Sequence, residues 1–207
     1  MSGAPTSPLV EALYRRESLS WGLIGLTLGL VEGATAAVMV KKGFAGTASP
    51  AAVNLAVAFV SGAPALANVV SFLWANLAHG RSRVRLMVSL MAGFAVLVGL
   101  VGISPHVTGG LLFMVLSVIA SRAVWAGILT VRASVWTANY PRAVLARVTG
   151  RIVVVSSFGV AASAALAGMV LESLPGWSWG LYLLAAMTGL AAAWMYRQTR
   201  VRREFSL

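Results

Sequence analysis

The chain has 207 residues, enough for one or two ordinary soluble domains. Its composition excludes a soluble domain, because 59% of residues are apolar and only 10% are charged, against a usual charged share of about a quarter. The net charge of +11 does not point to nucleic acid, since the basic residues punctuate long apolar runs instead of gathering on a water-exposed face.

In chain order, residues 1–20 read as a cytoplasmic tail whose Pro8–Ser18 stretch forms a short amphipathic helix on the membrane surface. Within it, Tyr14-Arg15-Arg16-Glu17-Ser18-Leu19, the apolar run that follows and Ala34-Thr35-Ala36 mimic a twin-arginine export signal. The apolar run continues through Val40, Glu32 interrupts it, and further spans follow, so insertion is expected and not cleavage. Crossing the hydrocarbon core takes about 20 apolar residues at about 1.5 Å each. Six segments qualify: Trp21–Val40, Ala52–Leu77, Val84–Ile103, Gly110–Trp136, Ile152–Leu171 and Trp177–Tyr196. The second and fourth are longer than needed, so tilt or an extension beyond the bilayer is expected. Pro64 is expected to kink the second. The domain plan is thus a tail over 1–20, a membrane domain over 21–196 and a basic cytoplasmic tail over 197–207.

The loops orient the bundle. Arg15 and Arg16 precede the first span, Arg81, Arg83 and Arg85 join the second to the third, and Arg142, Arg147 and Arg151 join the fourth to the fifth. Arg197, Arg200, Arg202 and Arg203 close the chain, while the alternate loops hold only Lys41 and Lys42. Both termini are therefore expected in the cytoplasm of a bacterial inner membrane, with the two lysines the one dissent.

Other chemistries are thinly supplied. There is no cysteine and no aspartate, and His79 and His106 lie in separate loops, so no metal site, cofactor or enzymatic constellation is expected. Inside the membrane the ionisable candidates are Glu32 in the first span and Arg122 in the fourth, both at about 16–18 Å depth and both costly there unless they face the bundle interior or a partner. Gly25, Gly29, Glu32, Gly33 and Ala36 share one helical face, which would let another helix approach closely. Gly159, Ser163 and Gly168 suggest the same for the fifth span. Arg132 is expected to snorkel to the interface, Asn68 to serve helix packing, and Trp177, Trp179 and Tyr182 to anchor the outer boundary.

Two loops are more specific than hydropathy. Trp74–Met87 resembles the signature loop of the major facilitator superfamily, G-x-L-a-D-r-x-G-r-(k/r)-x-x-l, with Leu77, Ala78, Arg83 and Arg85 fitting and Ala75, His79 and Ser82 departing. Asn139–Arg151 resembles the family's fourth-to-fifth loop through Arg147, Gly150 and Arg151. Arg122, with Gly127 one position late, resembles an arginine and glycine of the family's fourth helix. The resemblance covers the N-terminal six-helix half of such a transporter and implies a 3+3 inverted-repeat fold. It further implies that the first and fourth helices line a central cavity, so that Glu32 and Arg122 would pair there as a structural, substrate or proton site. His79, Arg81, Arg83, Arg85, Arg147 and Arg151 would be gating-loop residues, His79 standing where the family has an acid. The function implied is movement of a small solute by alternating access together with a second six-helix half, which could be a second copy. The alternatives are a non-transporting scaffold or assembly subunit docked on other membrane proteins, and a piece of a longer or split protein.

Overall fold

The computed structural model describes residues 8–174 and 177–199. Eight helices form: α1 (Pro8–Gly29), α2 (Gly33–Gly43), α3 (Pro50–Val69), α4 (Ser71–Ala78), α5 (Arg83–Gly102), α6 (Thr108–Asn139), α7 (Arg142–Ser173) and α8 (Ser178–Arg197). They contain six segments long and apolar enough to cross a membrane, as an integral membrane protein requires. The loops carrying Arg81, Arg83, Arg142 and Arg147 share one end of the bundle, here the arginine end, and Lys41 and Lys42 mark the other, the lysine end.

Three differences from the sequence reading matter for the site. The expected surface helix over residues 8–18 is the first part of one continuous α1, and Glu17 and Ser20 within it are wholly buried. The first span is broken: residues 30–32 leave the helix, with Glu32 extended at φ −71°, ψ 139°. Glycines on both sides, Gly29 and Gly33, weaken the helix there. In the second span the helix continues through Pro64, and a break that the sequence did not signal comes six residues later at Val70. At the arginine end Gly80 takes the left-handed φ of +69° that the α4–α5 turn requires.

Packing follows from small residues and buried hydroxyls. A Cβ on Gly159 would lie 2.6 Å from the Gly22 carbonyl oxygen, and Gly25 and Gly29 abut the backbones of Ser156 and Val160, so α1 and α7 cross in near backbone contact. On its other side α1 is stitched to α8: Ser20 Oγ donates to the Ala192 carbonyl at 2.9 Å and Thr27 Oγ1 to that of Ala185 at 2.8 Å. Helix α5 lies between α6 and α8, and α3 lies against α2 and α6. The core holds Trp21, Ile24, Phe94, Met87, Met91 and Ile128. Large apolar side chains such as Phe158, Met169, Leu184 and Met187 point outward, an arrangement suited to lipid and not to water.

Candidate functional site

The break in the first span builds the site. It makes Glu32 the residue that enters α2, whose N-terminal amides and dipole favour a negative charge. From α6, Arg122 Nη1 donates to Glu32 Oε2 at 2.9 Å, so the two charges expected near mid-membrane meet across the first and fourth spans. The pair is asymmetric: the Arg122 side chain is 9% exposed and that of Glu32 41%. Arg122 Nε is buried without an acceptor among the described residues, so the guanidinium keeps donor capacity beyond its carboxylate. Such a group can hold a second anion or exchange one for Glu32.

Helix α3, beside Glu32, exposes polar residues among apolar ones, Leu55, Phe59, Leu66 and Val69 being exposed as well. A Cβ on Gly33 would come 3.9 Å from the Ser61 carbonyl oxygen, which places α3 beside the break. Along α3, Ala51, Asn54, Ala58, Ser61, Ala65 and Asn68 are all exposed, alternating alanine with a polar residue every three or four positions. Among the described residues nothing hydrogen-bonds to the side chains of Asn54, Ser61 or Asn68. Lipid could not satisfy them either.

The remaining expected residues separate. Gly25 and Gly29 face α7 while Gly33 faces α3, because the break divides the stripe that a continuous helix would have kept on one side. Ser163 packs on Gly29, whereas Gly168 has open space around it. His79 ends α4 and is exposed, as are Arg81, Arg85, Arg147 and Arg151. Arg83 reaches the Ser134 carbonyl at 3.4 Å, and among the described residues none of these loop arginines forms an ion pair. Trp74 of the signature-like loop points inward, its Nε1 donating to the Ala123 carbonyl at 2.8 Å, and Gly127 leaves room for its ring.

Two expectations are corrected. Arg132 does not snorkel outward; its guanidinium lies 4.9 Å from the Trp21 ring centroid and 4.6 Å from that of Trp136, a cation–π clamp that offsets its desolvation. Tyr182 is not a boundary anchor; it is 2% exposed, and its hydroxyl donates to the Leu30 carbonyl at 3.3 Å, sealing one side of the break. Trp177 and Trp179 are exposed and stack on each other.

A second buried cluster was missed. Glu17 is wholly buried at the arginine end and accepts a 2.7 Å hydrogen bond from Tyr140, with Asn139, Tyr196 and Trp136 also beside it. Tyr140 lies in the turn between α6 and α7, and burial, with the Glu17 carboxylate next to it, pushes its phenol well above the usual value and keeps it a donor. The signal was present in the sequence: Glu17, Ser20, Trp21, Ile24, Thr27, Leu28 and Val31 recur at helical spacing, and all are buried.

No protein-family model matches the chain, no curated protein matches it significantly, and no solved structure does so.

Proposed function

We propose that the chain is one six-helix body of a membrane transporter of the major-facilitator type, moving a small solute by alternating access against a second six-helix body. The observation that carries this reading is the Glu32–Arg122 pair, a half-exposed carboxylate at a mid-span helix break. Broken helices with their termini at bilayer mid-depth are a recurrent way to build solute and ion sites in transporters. A carboxylate exposed there calls for a water-filled cavity or a covering partner.

Two further observations support it. Exchanging the first three spans with the last three maps three close helix pairings onto counterparts: α1 with α7 onto α6 with α3, α1 with α8 onto α6 with α5, and α5 with α8 onto itself; α2 with α3 is the exception, since α6 and α7 barely touch. That exchange pattern is what an inverted 3+3 repeat would produce. The exposed, unpartnered polar seam on α3 adjoins Glu32 and suits a wet cavity wall. In this reading the arginine end faces the cytoplasm of a bacterial inner membrane.

Because the chain has no cysteine, single cysteines report cleanly. Ser61→Cys and Asn68→Cys are expected to react with a charged, water-soluble thiol reagent in membranes, and Leu184→Cys, on the apolar outside of α8, is not. Equal silence at all three positions would sink the transport reading. A strict monomer without any partner would sink it too, since one half leaves its cavity without a second wall. The scaffold reading predicts instead a dry seam covered by an unlike subunit.

A further inference from the structure

The lysine end carries a second site. A pocket of about 240 Å³ opens there among the ends of five of the six spans, all but the second. Its floor is apolar, with Met39, Val101, Met114 and Leu171. Its polar lining is Lys42, His106, Ser104 and Ser178, with no carboxylate among the lining residues. The His106 ring stacks on Phe44, also a lining residue, at 5.8 Å and 29°, which fixes the imidazole in the pocket wall. Ser178 and Trp179 begin α8, which no side chain caps, so the positive end of that helix also looks onto the pocket.

These features share one electrostatic sense. Lys41 and Lys42 are the two basic residues that defy the distribution of charge along the chain, and both sit in the last turn of α2, where a helix terminus favours any cation. Only Lys42 lines the pocket. Among the described residues neither Lys42 nor His106 has an ion-pair partner. The volume exceeds the roughly 150 Å³ that accommodates a benzene ring and stays below drug-sized pockets.

We propose that this pocket binds a small organic carboxylate with a compact apolar body, its head between Lys42 and His106 and its body over Met114 and Leu171. The site is distinct from the Glu32–Arg122 pair and stands whether or not the chain transports anything.

Benzoate is the probe, titrated calorimetrically into the purified full chain in mild detergent, with the neutral isostere benzamide and inorganic phosphate as comparators. Benzoate is expected to bind in the millimolar range or tighter and to outcompete both. Lys42→Gln and His106→Gln are each expected to weaken it about tenfold or more, the scale of a lost charge-assisted contact. Lys42→Arg retains binding, and Lys41→Gln leaves it unchanged. The proposal is overturned by no heat of binding at about 10 mM benzoate, by benzamide or phosphate binding as tightly, or by Lys41→Gln weakening binding as much as Lys42→Gln.

Discussion

Glu32→Gln keeps the shape of the side chain and removes the charge that Arg122 faces. At 2.9 Å and an effective dielectric of about 20, the gross attraction is about 6 kcal/mol. Desolvation cancels much of that, and breaking a buried pair from one side typically costs about 3–5 kcal/mol. With 41% of the Glu32 side chain exposed, the expected loss falls lower, at about 2–3 kcal/mol. The reverse deletion is cheaper. Arg122→Met leaves a carboxylate that keeps its solvent contact and its place at the start of α2, for a cost of about 1 kcal/mol. The double variant is then less damaged than the two singles together, by about 1–2 kcal/mol of coupling. Reversible unfolding in mixed micelles of rising dodecyl sulfate content, followed by tryptophan fluorescence, measures all four corners of the cycle. Arg122→Met costing as much as Glu32→Gln, or a coupling below about 0.5 kcal/mol, would refute the asymmetry argued from exposure.

The same assay reads the other contacts. Gly159→Val forces a side chain against the Gly22 carbonyl and is expected to cost about 3 kcal/mol or the folded state itself, while Gly168→Val, with nothing near it, stays within about 0.5 kcal/mol. Thr27→Val removes the hydroxyl that joins α1 to α8 and should cost about 0.6–1.7 kcal/mol, the range of interhelical hydrogen bonds in membrane bundles. Tyr140→Phe strips the 2.7 Å donor from the buried Glu17 carboxylate, for about 1–3 kcal/mol, and Glu17→Gln in the same background should recover part of that loss. Tyr182→Phe keeps the ring and frees the Leu30 carbonyl, so amide hydrogen exchange at residues 31–33 should quicken while the rest of α8 is unchanged.

The spans were legible because a long apolar run with arginines at alternate ends has few other physical solutions. That Glu32 and Arg122 lie level with each other on the first and fourth spans was legible by the same counting of rise per residue. Their surroundings were not. Hydropathy does not register a helix break made of Leu30 and Val31 between glycines, since both residues are as apolar as the helix they interrupt. Pro64 was the louder signal in the second span, yet the helix runs on through it, and the break comes at Val70, a residue with no breaker chemistry. Glu17 was hidden by its neighbours: beside Arg15 and Arg16 it reads as a surface residue, and only its phase with Trp21 and Ile24 reveals the buried face. Arg132 was misplaced because snorkelling is the default for a lone arginine near a helix end. Its aromatic neighbours come from α1 as well as α6, a tertiary fact that spacing along one helix cannot supply.

The break in the first span is also what brings the pocket at the lysine end close to the ion pair. An interrupted helix inside a membrane leaves backbone groups that lipid cannot satisfy. Here the gap is narrowed by a tight turn, the Val31 amide donating to the Leu28 carbonyl, and by the first bond of α2, from the Ala36 amide to the Glu32 carbonyl, each at 3.0 Å. The Leu30 carbonyl takes its hydrogen bond from Tyr182, a residue of α8 whose side chain also lines the pocket at the lysine end. A ligand resting in that pocket would therefore touch Tyr182, whose hydroxyl bonds Leu30, two residues before the carboxylate that Arg122 holds. In a continuous helix the Leu30 carbonyl would have an intrahelical donor; the break leaves it to Tyr182. The glycines that cost the first span its regularity thus give the pocket and the ion pair a common element, Tyr182 lining the one and closing the break beside the other.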